Sequence, residues 1–217
     1  MTDLPTFTVL CVCTGNICRS PLVERLFLIG LRNRIGAVPT DLVVRSAGTW
    51  GLEGSDMEPF AAMALRALGG DDTGFRAREL VAEMVAESDL VLCATREHRA
   101  ASVAMVPRAA ARTFTVREFD RLCSVLDGAD LPDSSLPERA SALVRAAAGQ
   151  RGMVRPERPE DDDLPDPIGA PASVFTTSAR LIESALRRPL DLLGTPLSNQ
   201  QGAPHPTPER SAAPGSN

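Results

Sequence analysis

Four short apolar runs punctuate the first part of the chain, and stretches with helical spacing separate them. Phe7–Cys13 is continuous and rich in β-branched residues; it ends in Thr14-Gly15-Asn16, and after Ser20-Pro21 apolar residues recur at 22, 23, 26, 27 and 29. This reads as a buried strand, a tight loop and an amphipathic helix with proline in its first turn. Asp41–Ala47 and Ser88–Ala94 are two further strands by the same reading, and Ala111–Val116 is a weaker fourth. Between them, helical periodicity spans Glu58–Leu68, Ala77–Ala86 and Glu97–Val106. Strands alternating with helices predict an α/β fold, a parallel sheet covered on both faces.

The pattern changes after Asp127, where proline becomes frequent. Helices are predicted over Glu138–Ala148 and Ala172–Arg188, and Glu157–Asp166 between them holds six acids and one arginine, a stretch that reads as a solvated linker. Residues 189–217 are rich in Pro and Gly with few apolar anchors and are expected to be a disordered tail. The remaining 1–188 are enough for one domain.

Composition narrows the class. With 43% apolar and 24% charged residues the chain reads as globular, and its formal charge of −5 argues against a nucleic-acid partner. No apolar run approaches the roughly 18 residues of a membrane span, and Met1–Pro5 lacks the basic and apolar parts of a secretory signal, so a cytoplasmic location is expected. Five cysteines, an odd number, fit a reducing compartment. All 23 basic residues are arginine, and there is no tyrosine.

The candidate chemistry sits where the first strand meets the first helix. A phosphate-like oxyanion is held well by backbone N–H groups at a helix N-terminus, with an arginine forking onto two of its oxygens. Cys13-Thr14-Gly15-Asn16-Ile17-Cys18-Arg19-Ser20 has that arrangement. A cysteine there has its thiolate stabilised by the helix dipole, Arg19 and N–H donors, which makes Cys13 a nucleophile. A second Cys-x5-Arg, Cys93 to Arg99, lacks Gly or Asn at its turn, and Arg96, Glu97 and His98 crowd its centre. No metal is expected on Cys11, Cys13 and Cys18, whose spacings lack a paired cluster. Cys11 and Cys123 read as core.

Val12-Cys13-Thr14-Gly15-Asn16-Ile17-Cys18-Arg19-Ser20-Pro21 resembles the signature loop of the low-molecular-weight protein tyrosine phosphatases, a family that also contains thioredoxin-coupled arsenate reductases. Ser46-Ala47-Gly48-Thr49, Arg96-Glu97-His98-Arg99 and Asp166-Pro167 extend the likeness. It implies a four-stranded parallel sheet with the phosphate-binding loop after the first strand, an insertion at about 127–160, and no cofactor. It also implies a phosphomonoesterase acting on a phosphorylated protein or small phosphate ester. Cys13 is then the nucleophile, Arg19 and the loop residues Thr14, Gly15, Asn16, Ile17, Cys18 and Ser20 bind phosphate, and Asp166 is the general acid and base. Asn16 holds the loop, Ser20 hydrogen-bonds the thiolate, and Cys18 can form a reversible disulfide with Cys13. Relatives carry an aromatic where Leu52 stands and aromatics after Asp-Pro where this chain has Ile168-Gly169, which leaves Trp50 as the aromatic expected at the cleft. Two expectations concern charge: Asp161-Asp162-Asp163 keep the acid form of Asp166 populated nearer neutrality, and His98 stands at an exposed helix start without a role. The rival readings are an arsenate reductase served by an external thiol and a non-catalytic phospho-ligand module.

Overall fold

A computed structural model describes residues 6–194. Four parallel strands, β1 (Phe7–Cys13), β2 (Leu42–Gly48), β3 (Leu90–Cys93) and β4 (Thr113–Thr115), lie in the order β2-β1-β3-β4. β1 is buried throughout because it faces two cores at once. Phe7, Val9, Cys11 and Cys13 join one cluster, and Leu10 and Val12 the other. This is the physical content of a continuous apolar run, which would alternate if one face met water.

The larger core lies under α1 (Arg19–Ile35), α2 (Pro59–Ala67), α5 (Val116–Cys123), α6 (Leu136–Gly149) and α7 (Ala172–Leu193). The smaller takes Val85 from α3 (Ala82–Ala86) and lies beside α4 (Arg96–Met105) and the 3-10 turn that follows it. The order in which β1 is followed by a neighbour on each side opens a crevice at the carboxyl ends of β1 and β3, the usual ligand position in open α/β sheets.

Three expectations need correction. The helix predicted over Ala77–Ala86 occupies only Ala82–Ala86, because Gly48 N–H donates to Arg78 O and Leu80 N–H to Gly48 O, which draws Arg78–Leu80 alongside β2. Burial of Ala77, Leu80 and Val85 imitated a helical stripe although the first two lie on extended chain. The last helix does not stop at Arg188; it continues through Pro189 to Leu193, with Leu190, Leu192 and Leu193 buried. The rest of the expected tail, 195–217, lies outside the described residues. Finally, β4 is short because Thr115 and Glu118 form a reciprocal capping box that starts α5 at Val116. Among the described residues no helix is long and apolar enough to cross a membrane.

Candidate active site

β1 delivers Cys13 to the carboxyl edge of the sheet, and the chain turns through 14–18 before Arg19 opens α1. The turn needs one residue in the left-handed region, and Asn16 supplies it at φ 54°. Every polar group of that side chain is used. Asn16 Nδ2 donates to Ser20 Oγ at 2.8 Å and to Ser46 Oγ at 2.9 Å, while Oδ1 accepts from Arg78 N–H at 2.9 Å. Ser46 Oγ donates in turn to the buried Glu24 at 2.6 Å. Asparagine is therefore a strut between loop, sheet and helix.

The loop's carbonyls face outward. Those of Cys13, Thr14, Gly15 and Ile17 accept from the amides of Thr49, Trp50, Leu52 and Glu58. In a trans peptide the N–H opposes the C=O, so the amides of Thr14, Gly15, Asn16 and Cys18 turn away from that segment. α1 begins at this point with no capping side chain and no acid in its first turn. Its first N–H groups and dipole are thus left for an anion.

Cys13 Sγ lies 2.9 Å from Ser20 Oγ. Arg19, buried except for its tip, donates from Nη1 to Leu164 O at 3.4 Å and from Nη2 to Thr14 Oγ1 at 3.4 Å and Asp166 Oδ2 at 2.6 Å. The structure thus brings Cys13, Arg19, Ser20 and Asp166 together although Asp166 is 147 positions beyond Arg19. The carboxylate of Asp166 is half-exposed, and its Oδ1 accepts from Ile168 N–H. Trp50 is tied to the loop only through its backbone, its side chain being 79% exposed; Leu52 packs beside Gly15 and Ile17 instead.

The acidic stretch is not a solvated linker. Asp161 pairs with Arg158, Asp162 with Arg121, and Asp163 with Arg96. Asp163 alone accepts the Arg96 backbone N–H at 2.7 Å and Arg96 Nη2 at 2.9 Å, while Thr115 Oγ1 donates to Asp162 O and Leu164 N–H to Ala94 O. The run is a latch that pins the acid loop onto β3, α4 and α5. With each carboxylate matched to an arginine, it does not stand as uncompensated negative charge beside Asp166, contrary to expectation.

His98 is corrected too. It is buried, its Nδ1 is 2.7 Å from Thr95 Oγ1 and its Nε2 2.9 Å from Thr14 Oγ1. Sequence reasoning also passed over Glu24. Its signal was a charge four residues after Ser20 and three before Phe27, on the stripe α1 buries. Cys18 and Cys93 are both buried; burial drives the Cys18 thiol well above its ordinary range, with Cys13 adding to it, and pushes Cys93 up to about 12.

Comparison with known proteins gives the same direction. The family model described as low molecular weight phosphotyrosine protein phosphatase matches residues 8–141. The chain is 35% identical over 133 residues to the low molecular weight protein-tyrosine-phosphatase Etp of Escherichia coli, 61% of this chain and 80% of that one. It is 34% identical over 113 residues to a protein-arginine-phosphatase of Geobacillus stearothermophilus, 52% of this chain and 71% of that one. The solved structure of the YwlE arginine phosphatase from Geobacillus stearothermophilus superposes with a TM-score of 0.61 at 27% identity, covering 92% of this chain and 99% of that one.

Proposed function

The chain belongs to the low molecular weight phosphotyrosine protein phosphatase family, a family of hydrolases, and we propose that it cleaves phosphotyrosine-type esters through a phosphocysteine. The observation that carries this is the convergence of Cys13 beside Ser20 with Arg19 bridging to Asp166. The Cys13 thiolate attacks phosphorus, a sulfur–phosphorus bond forms, and the phosphorus–oxygen bond to the leaving group breaks. Arg19 and the inward amides hold the phosphoryl oxygens as charge develops on them. Asp166 gives its proton to the departing oxygen; as carboxylate it then takes one from the water that hydrolyses the phosphocysteine, returning phosphate and the thiolate. A bound phosphoryl group competes with Asp166 for Arg19, so substrate itself frees the carboxyl group to face the leaving oxygen.

Hydrolysis of para-nitrophenyl phosphate and a phosphotyrosine peptide tests the reading. Cys13→Ser abolishes both, and Asp166→Ala slows alkyl phosphates more than the better phenolic leaving group. Retained turnover by Cys13→Ser overturns the reading. A second substrate belongs in the same assay. The positions after Asp166-Pro167 hold half-exposed Ile168 and a glycine rather than aromatics, and one relative is named a protein-arginine-phosphatase, so a phosphoarginine peptide is the alternative to a flat phenolic ester. Arsenate reduction through an internal resolving cysteine finds no support from Cys93, which is buried in the smaller core with Sγ 3.7 Å from Ser102 Oγ; the external-thiol version is tested by thiol-dependent arsenate reduction in wild type and Cys13→Ser. Redox control falls to Cys13 and Cys18, which share the larger core; loss of two electrons and two protons to a peroxide, which is reduced to water, joins them, and Cys18→Ser leaves the Cys13 sulfenic acid open to further oxidation to the sulfinic acid, which thiols do not reverse.

A further inference from the structure

The contacts around His98 form one relay when its ring proton sits on Nε2, the tautomer assigned from its two partners. Thr95 caps α4, its Oγ1 accepting from His98 N–H at 3.4 Å, and its own hydroxyl hydrogen has His98 Nδ1 in reach at 2.7 Å. An Nδ1 that accepts leaves the ring proton on Nε2, the atom 2.9 Å from Thr14 Oγ1. Thr14 Oγ1 also accepts from Arg19 Nη2 at 3.4 Å. In that tautomer both lone pairs are engaged and the Thr14 hydroxyl has only its hydrogen to offer; Thr14 is the exposed residue directly after the nucleophile.

We propose that His98 is a positioning residue whose Nε2–H fixes the Thr14 hydroxyl as a hydrogen-bond donor to a phosphoryl oxygen in the loop. The inference rests on the phosphatase reading for the identity of that oxyanion. His98 touches no reacting atom; it acts through Thr14, with two donors polarising one hydroxyl. Burial first, and Arg19 second, hold the imidazole pKa below its ordinary 6.5, while Glu97, Asp166 and Asp163 pull the other way. The lowered pKa favours the neutral ring, in which Nδ1 can accept from the Thr95 hydroxyl while Nε2–H faces Thr14.

Two substitutions separate this role from packing. His98→Gln carries an amide to the Nε2 position and can still donate to Thr14, whereas His98→Asn reaches only the Nδ1 position and keeps Thr95 alone. Inorganic phosphate binding is measured directly by calorimetry, beside kcat and KM for para-nitrophenyl phosphate, in both variants, Thr14→Val, and Thr14→Val combined with His98→Asn. The expected result is roughly tenfold weaker phosphate binding in His98→Asn, near wild-type binding in His98→Gln, and no further loss when His98→Asn is added to Thr14→Val. Equal phosphate affinity in the Gln and Asn variants, or additive losses in the double variant, overturns the proposal. A wild type that binds phosphate but hydrolyses nothing refutes the phosphatase reading alone, because the binding series still judges His98.

Discussion

Gly48→Ala is the sharpest probe of how the loop is held. Gly48 ends β2 opposite Cys13 in register, and a Cβ there would stand 2.2 Å from Thr14 O, 2.8 Å from Asn16 N and 3.0 Å from Gly15 C. All three are backbone atoms, so no flexible side-chain tip can swing aside. The glycine is not in the left-handed region, so only the close approach forbids alanine. Ordinary contact begins at 3.4 Å, which obliges the loop to retreat by about 1 Å, a misplacement that costs on the order of 100-fold in turnover. Overpacking of this kind also costs about 1–3 kcal/mol, or about 2–4 °C in Tm per kcal/mol for a protein of this size. The assay is kcat/KM on para-nitrophenyl phosphate with inorganic phosphate as inhibitor, together with a melting curve. Gly149→Ala is the control, since its added methyl meets nothing within 4 Å. If Gly48→Ala keeps kcat/KM and phosphate inhibition within about twofold of wild type, the loop is not braced against β2 and the reasoning fails.

Three further substitutions probe other parts of the site and its support. Asp163→Asn weakens the paired hold on Arg96 and loosens the acid loop; kcat is expected to fall roughly tenfold with phosphate inhibition unchanged, and weaker inhibition by phosphate would count against a role confined to the acid. Ser20→Ala removes the hydroxyl 2.9 Å from Cys13 Sγ; a hydrogen bond to a charged group contributes about 1.5–3 kcal/mol, so kcat should drop by about 10–100-fold, and an unaltered rate of thiol alkylation would contradict it. Asp120 tests stability: burial pushes its carboxyl up to about 6 from an ordinary 3.8, against the pull of Arg117 and Arg187. A raised acid binds its proton more tightly folded than unfolded, so its contribution is favourable at low pH and is lost as pH rises from about 4 through about 6. Asp120→Asn should therefore stabilise at pH 7 by about 1 kcal/mol after solvent screening of a half-buried group, with the gain closing below pH 4; a gain that persists at pH 3.5 would refute the linkage.

The parts of this protein legible from the residues alone were those in which local chemistry and tertiary role coincide. β1 announced itself because burial on both faces writes a continuous apolar run. The loop announced itself because a left-handed turn before a helix suits Asn16, and an oxyanion there suits Arg19. Arg78–Leu80 misled because a strand-edge segment buried at Ala77 and Leu80 has the same one-dimensional spacing as a helix. Cys123 stands on a helical pattern, but the start of α5 went unread because Thr115 serves as both strand end and helix cap. His98 and Glu24 could not be placed, since their partners, Thr14 and Ser46, are 84 and 22 positions away, a separation that only the folded chain closes.

The arginine bias, which looked like composition without consequence, acquires a local meaning at the acid loop. Arg96 Nε reaches both oxygens of Asp163, at 3.3 and 3.1 Å, with Nη2 on Oδ2 at 2.9 Å, and Arg121 meets both of Asp162 at 3.1 and 2.7 Å. Lysine, a point charge on a flexible stem, cannot make that planar fork. Arg19 uses the same geometry differently, dividing its donors among Leu164 O, Thr14 Oγ1 and Asp166. One guanidinium thus links the Cys13 loop to the loop that carries Asp166, while Arg96 and Arg121 fix the second loop against α4 and α5. Within Glu157–Asp166, whose −5 charge equals that of the whole chain, the three consecutive aspartates are therefore an arginine-matched latch. It sets where Asp166 stands, and under the proposed mechanism that placement separates holding a phosphate ester from cleaving it.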